Sequence, residues 1–475
     1  MESQIFPAKS RMYVRTDGMT LGTAAQICGG GWLGDPETPI TGISTDSRDA
    51  CEGMLFVAVK GDRFDGHDFV GKAFEGGAAA ALVSRIPDGA DHGNYIVADD
   101  TVAALGRLAA AHKRALSPFT AAVTGSVGKT TTREYVRSVL ERRYRVSAST
   151  DNLNSEIGLP IVLLRLKPED EALVAEMGMQ GPGEISYLSR MVEPDVAVIT
   201  AVGTSHIGLL GSRENIAKAK LEIRDGLKKG GRLILNGHEP LLSGIDGAYY
   251  VSDSADDIDA DLRITGYSDD GAGHGVFTLR SREGDEYGDI VIPTLGLHTA
   301  LDAAYAFAVG LSCGMDESEI RKGLLGFSPA AMRQHIFECR GAAVIEDCYN
   351  SAPESVAAAL KVLDTVCAGK QLRRCAVLGD MLELGDMTEK LHYETGRRVG
   401  EAGVKLLIAV GEAAGYIAKG ASETGTDQIF RVKDAVEAGE LMKSVIGSGD
   451  AVLVKASRAI GLEKALAVYK GGDGQ

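Results

Sequence analysis

Val123-Thr124-Gly125-Ser126-Val127-Gly128-Lys129-Thr130-Thr131-Thr132 lies between an apolar, strand-like run and the start of a helical period. That setting decides the fold class. A strand that turns through two glycines into a helix brings backbone N–H groups and the positive end of the helix to one point, as a phosphate requires. The candidate nucleotide residues here are Gly125, Ser126, Val127, Gly128, Lys129, Thr130 and Thr131. Lys129 is placed to reach the β- and γ-phosphates, and Thr130 to ligate Mg²⁺. The longer G-x-x-x-x-G-K-[ST] pattern would put its first glycine where Val123 stands, so the loop is the shorter G-x-x-G-K-T-T form. A bare Gly-rich turn with a surface lysine is the bland alternative, and the strand–helix setting argues against it.

Outward from this loop, short apolar runs alternate with helical periods. Strands are expected at 119–124, 172–176 and 196–201, with helices at 130–142 and 216–227. This alternation implies parallel βαβ units. Residues 252–274 are acidic and Gly-containing and read as a loop, leading into a short antiparallel addition at 276–279 and 289–292. On the N-terminal side, strands are expected at 54–59, 79–83 and 95–97, then a helix over 101–116 that Ser117-Pro118 would end. On the C-terminal side, strands are expected at 343–345, 375–378, 406–410 and 451–454, with helices from about 352 and over 387–402. Ser351-Ala352-Pro353-Glu354 has the spacing of a capping box for the first of these helices. The fold class is therefore α/β, with three domains at 1–116, 117–328 and 329–475. The central one is a P-loop-type, mostly parallel sheet, and the last is Rossmann-like.

At roughly 100–200 residues per domain, a 475-residue chain agrees with three domains. The formal net charge of −16 argues against a nucleic-acid surface, which needs lysine and arginine to displace counterions. It leaves small phosphorylated ligands open, because a local loop binds an anion inside an acidic protein. Seven cysteines without metal-like spacing read as reduced thiols. No signal-peptide core or long apolar run is present, so the expectation is a cytoplasmic protein, not inserted in a membrane, and a monomer.

Beyond the phosphate loop, several stretches recur in an order that resembles the Mur ligase family. Thr45-Asp46-Ser47-Arg48 is similar to the family segment that holds the UDP end of the substrate. Asn152-Leu153-Asn154-Ser155 resembles its Asn-rich segment, which makes Asn152, Asn154 and Ser155 further UDP-substrate candidates. Ala175-Glu176-Met177-Gly178 and Gly203-Thr204-Ser205-His206 look like its acidic and His-bearing motifs. Leu378-Gly379-Asp380-Met381-Leu382-Glu383-Leu384-Gly385 and Lys455-Ala456-Ser457-Arg458 resemble the dipeptide-adding member of the family.

The resemblance implies an ATP- and Mg²⁺-dependent ligase of cell-wall synthesis. Its substrates would be UDP-N-acetylmuramoyl-tripeptide and D-alanyl-D-alanine, joined through an acyl phosphate. Lys129, Glu176, His206 and Lys220 would be catalytic, and Thr130, Glu176, His206 and a carboxylated Lys220 would hold metal. Oxygen ligands suit Mg²⁺. By composition alone, His206 is a structural histidine and Lys220 a solvated helix lysine. Arg333 and Asp347 would serve the ATP ribose and phosphates, and Tyr349, Asn350, Lys455 and Ser457 the dipeptide. The sister ligase that adds the third amino acid is the nearest alternative. A folylpolyglutamate-type ligase fits the first domain poorly, and a nucleotide-driven binding protein without ligase activity remains open.

Two departures bear on nucleotide choice. His298-Thr299-Ala300-Leu301-Asp302 stands where the family shows His-Asn with a second Asn three residues on, positions that serve adenine. An ionised aspartate only accepts hydrogen bonds, whereas asparagine also donates. Thr299 and Asp302 thus predict a weakened or broadened nucleotide preference. Ala352 likewise stands where a second Asn is usual after Tyr349-Asn350.

Overall fold

The computed structural model describes residues 18–49, 52–61, 64–88, 93–150 and 152–471. They form a mixed α/β chain with three sheets in series. The first sheet runs, in spatial order, Gly31–Leu33, Tyr95–Val97, Ala80–Val83, Met54–Val57 and Gly42–Ser44, and only Gly31–Leu33 is antiparallel to its neighbour. A histidine staples one loop to this sheet. Asp65 Oδ1 lies 2.6 Å from His67 Nδ1, so Nε2 is left to accept the Ser84 N–H at 2.9 Å.

The central sheet has nine strands. Val146–Ala148, Ala172–Glu176, Phe119–Thr124, Val196–Ile199, Arg232–Asn236, Ala248–Ser252 and Leu262–Asp269 are parallel. Gly275–Ser281 and Glu286–Ile292 extend it antiparallel. The central strands are buried on both faces, which accounts for their unbroken apolar runs. Leu262–Asp269 overturns the expectation of a loop across 252–274: alternate residues Leu262 and Ile264 are buried under the helix Leu297–Ser312, so pairing outweighs local acidity and glycine content. The third sheet runs His335–Cys339, Ala342–Glu346, Asp450–Lys455, Arg373–Gly379, Leu406–Val410 and Gln428–Val432, parallel apart from the first. Among the described residues no helix is long and apolar enough to cross a membrane.

Helix Thr101–Leu116 explains how the first two sheets are joined. Asp100 caps it by accepting the Val102 and Ala103 N–H groups, and Ser117 ends it in the left-handed region just before Pro118. Its buried stripe, Ala104, Leu105, Leu108 and Ala109, has helical spacing. One continuous apolar cluster runs from Leu21 and Leu82 through Leu105 and Leu108 to Leu163, Leu188 and Leu235. The first and central sheets therefore share a core. Among the described residues, the two clusters of the third sheet draw on the central unit only through Leu295 and the partly buried Ile207. The junction before the third sheet is the weaker one.

Leu105→Ala removes a fully buried side chain from the shared core and is expected to cost about 2–5 kcal/mol in chemical denaturation. Hydrogen exchange should then speed up in both the first and central sheets while the third sheet keeps its protection.

Candidate active site

The strand Phe119–Thr124 has Ala172–Glu176 on one side and Val196–Ile199 on the other, so the chain order reverses around it. Ligands of open parallel sheets bind in the crevice beyond the carboxyl ends of strands at such a point. Gly125 (φ 156°) turns the chain there, and a Cβ at this position would lie 1.9 Å from Thr200 Oγ1. Gly128 (φ 83°) caps the helix Lys129–Leu140, and its Cβ would lie 2.7 Å from Asp302 Oδ1. The Thr200 hydroxyl donates to Val127 O at 2.5 Å, and Ser126 N–H donates to Ala201 O at 2.9 Å. Lys129 arches back over the loop, donating to Gly125 O at 2.7 Å. Burial pushes its pKa down, opposed by the Glu176 carboxylate. Ser126 Oγ is buried without a protein partner among the described residues.

Beneath the loop, Glu176 is the meeting point of three segments. Its Oε2 accepts from Thr130 Oγ1 at 2.9 Å and from Arg133 Nη1 at 3.1 Å, and its Oε1 accepts from Asn154 Nδ2 at 2.9 Å. Glu176 and Arg133 are each 3% exposed. The Asn154 amide, expected at the UDP substrate, is thus engaged by the carboxylate under the phosphate loop. Ser155 Oγ accepts the Gly158 N–H at the start of the next helix, and Asn152 is exposed. Lys220, on the helix Arg213–Leu221, is 2% exposed and is no solvated lysine. Among the described residues its Nζ has no hydrogen-bond partner and no counter-ion. Burial and the Lys129 charge hold its pKa well below the usual lysine value.

The third sheet closes the crevice. His206 (φ 64°) places Nδ1 2.6 Å from Glu383 Oε2, a close contact outside hydrogen-bonding angles, and Glu383 is held below the usual carboxylate range by that histidine. Glu354, in the first turn of the helix Pro353–Cys367, accepts the Thr204 N–H at 2.9 Å and the Thr204 hydroxyl at 3.2 Å. The capping box expected on Ser351 is absent for this reason. The N-cap is Ala352, whose N–H donates to Ser355 Oγ, while Glu354 reaches across to the central unit.

A cavity of about 270 Å³ lies between the two units, lined on one side by Ser126 to Thr131, Thr200, His298, Thr299 and Asp302, and on the other by Arg333, Asp347, Asn350 and Lys455. Burial pushes the His298 imidazole down to about 4. The Thr299 hydroxyl donates to Leu295 O and Gly296 O of its own helix start, at 3.1 and 2.8 Å, and so is turned away from a base. Asp302 accepts the Thr132 hydroxyl at 2.8 Å, and burial pushes its carboxyl up to about 8. A carboxyl held neutral would donate as well as accept, unlike the ionised aspartate expected from sequence.

Lys455 donates to Asp347 Oδ2 at 2.6 Å and to Asn350 O at 2.9 Å, tying together an expected nucleotide residue and two expected dipeptide residues. The Arg333 guanidinium sits 4.2 Å from the Tyr349 ring centroid. Ser457 Oγ accepts the Leu382 N–H at 3.0 Å. The Thr45 to Arg48 segment follows the strand Gly42–Ser44 and does not line this cavity. There Arg48 grips Asp46 through Nε and Nη2, at 3.0 and 2.6 Å, on the surface.

Arg133, Thr200, Glu354 and Glu383 gained no role from sequence. Arg133 was within reach, since it lies three positions after Thr130 on the same helix side and a buried guanidinium needs a buried acid. Glu354 reads locally as a helix-dipole residue, and only the tertiary structure aims it at Thr204.

Gly125→Ala forces a contact with Thr200 that the backbone cannot relieve without shifting the loop. Calorimetry with Mg·ATP is expected to show at least about a tenfold loss of affinity, with circular dichroism unchanged.

Family profiles match along the chain: the Mur ligase family catalytic domain at residues 39–113, the Mur ligase middle domain at 123–310, and the Mur ligase glutamate ligase domain at 332–458. The chain is 38% identical over 442 residues to the UDP-N-acetylmuramoyl-tripeptide–D-alanyl-D-alanine ligase of Bacillus subtilis, covering 91% of this chain and 94% of that one. It is 32% identical over 446 residues to the protein of the same name in Escherichia coli, with 91% and 94% covered. A crystal structure of MurF from Acinetobacter baumannii superposes with a TM-score of 0.86 at 31% identity, covering 94% of this chain and 98% of that one. The MurF ligase of Thermotoga maritima in complex with ADP gives 0.80 at 26% identity, covering 92% and 98%. Matches that run from residue 39 to residue 458, in the order of the three sheets, lead to one conclusion: this chain belongs to the Mur ligase family.

Proposed function

We propose that this chain is an ATP-dependent, ADP-forming ligase that joins D-alanyl-D-alanine to UDP-N-acetylmuramoyl-tripeptide in peptidoglycan synthesis. The observation that carries the reading is the cavity in which the phosphate loop of the central unit faces Arg333, Asp347 and Lys455 of the third. A triphosphate on the loop would be met by Arg333 and Asp347 from the other wall, with Lys455 and Asn350 beside them for the incoming dipeptide.

In the first step the tripeptide carboxylate attacks the γ-phosphorus, the bond to the β-phosphate oxygen breaks, and ADP leaves. In the second the dipeptide amine attacks the acyl carbon and expels phosphate, losing its proton as the amide forms. Positioning and charge neutralisation dominate phosphoryl transfer. Lys129 and the loop N–H groups supply both, with Ser126 Oγ as a further donor. Mg²⁺ would be held by Thr130, whose hydroxyl lines the cavity, with the Glu176 carboxylate 2.9 Å behind it, and it would offset charge on the phosphates. Lys220 fits carboxylation, because burial without a counter-ion and the nearby Lys129 charge disfavour its ammonium and leave the neutral amine that forms a carbamate. His206, paired with Glu383, would report closure of the third unit and stand close to any second metal. The Glu354 and Glu383 contacts draw the third unit onto the central one beside the cavity, as exclusion of water from an acyl phosphate would require.

Under this reading the units span 1–116 for the UDP end, with Thr45 to Arg48, Asn152 and Ser155 as its contacts, 117–328 for ATP, and 329–475 for the dipeptide. Tyr349, Asn350, Lys455 and Ser457 frame the last site. The protein works as a cytoplasmic monomer.

Phosphate release tests the assignment. It should appear with UDP-N-acetylmuramoyl-tripeptide plus D-alanyl-D-alanine, and fall at least about 10²-fold in kcat/KM for Lys129→Ala. Release driven by a single amino acid, or by neither acceptor, would replace this substrate assignment with another.

A further inference from the structure

Asp302 is a buried acid with no cation to balance it. It is 7% exposed on the helix Leu297–Ser312, and its one protein partner among the described residues is the Thr132 hydroxyl, 2.8 Å from Oδ1. It presses against the phosphate loop, with Oδ1 and Oδ2 at 2.7 and 3.5 Å from where a Cβ on Gly128 would stand. It also lines the cavity. From the phosphate helix it faces Thr132 and Tyr135, and on its own helix Tyr305 lies one turn on and His298 one turn back. Arg333, from the junction with the third unit, acts on it from beyond ion-pair range. Among the described residues no strand of the sheet beneath contributes a charged partner to it.

A carboxylate charge here would stand directly below the loop whose N–H groups hold a triphosphate. A neutral carboxyl would not, and it offers what an asparagine amide offers: Oδ1 accepts from Thr132, and an acid O–H at Oδ2 would be a donor. We propose that Asp302 positions the phosphate loop as a neutral acid, so that nucleotide binding requires this carboxyl to keep its proton. The inference rests on the nucleotide reading of the cavity and adds a proton to it.

Burial pushes the Asp302 carboxyl up to about 8, against the opposing Thr132 hydrogen bond and Arg333 charge. Nucleotide therefore binds at full strength below that pH. Affinity falls above it, approaching tenfold per pH unit, because each binding event must then take up a proton. The same shift gives a signature without ligand. The folded-state pKa is raised above the unfolded value of 3.8, so this group costs the wild type increasing stability as pH rises from about 4 to 8.

The experiment is calorimetric titration of ADP into the wild type and Asp302→Asn between pH 6.5 and 9.5, with thermal melts of both unliganded proteins from pH 5 to 9. The wild type should lose at least tenfold in affinity between pH 7.5 and 9.5 and take up a proton, seen as a dependence of the measured heat on buffer ionisation. Asp302→Asn should show neither effect, and should gain melting temperature over the wild type as pH rises toward 8. Equal pH dependence in the two proteins, or a flat profile in the wild type, overturns the proposal. Binding by neither protein at any pH overturns the nucleotide reading along with it. A melting difference without a pH trend overturns the buried-acid assignment alone.

Discussion

The carboxylate of Glu176 is the contact on which the site depends. Burying a charge is costly unless every lone pair is met, and breaking one side of such a cluster leaves the other charges stranded. Here Thr130, Arg133 and Asn154 all converge on it, so the phosphate helix, the strand Ala172–Glu176 and the loop before the next helix are fixed to one another. Ser149 Oγ completes the arrangement by accepting the Glu176 N–H at 3.1 Å. The phosphate loop above this cluster is short and rich in glycine, and it has little packing of its own. Its shape is imposed from below by Glu176 and from the sides by Thr200 and Asp302.

Two kinds of junction follow from where apolar area is buried. The first and central sheets share a core through Thr101–Leu116, so they move together. The third sheet has its own cores and meets the central unit through polar contacts, Glu354 on Thr204 and Glu383 at His206 and Gly208. Polar contacts of this kind form and break at lower cost than a shared core. A junction held by such contacts therefore borders the cavity where the chemistry is proposed to occur, which is where opening for substrates and closing against water would be needed.

The cavity also shows what reading residues one at a time leaves out. Lys455, Asp347 and Asn350 come from motifs read as serving two different ligands, yet they form one hydrogen-bonded group. Thr299 departs from the family pattern, but its hydroxyl is spent on its own helix start. Asp302 departs more consequentially, because its neighbours are a glycine and a hydroxyl and not a cation.

The sequence by itself determined the α/β class, the phosphate loop and the strands that carry it, because period-2 and continuous apolar runs, glycine turns and helix starts are local signals. The strands Phe119–Thr124, Ala172–Glu176 and Leu406–Val410 and the helix Thr101–Leu116 were legible for that reason. The strand Leu262–Asp269 was not, since its acidic and glycine residues face solvent and only pairing with its neighbours makes it a strand. Motif order along the chain marked Glu176, His206 and Lys220, but gave no account of what each would touch. The tertiary structure alone decided that Lys220 is buried without a counter-ion, that Asn154 turns to Glu176, and that Glu354 and Glu383 bridge the units. Burial and partnership between separate segments of the chain are properties of packing, and no local window of sequence contains them.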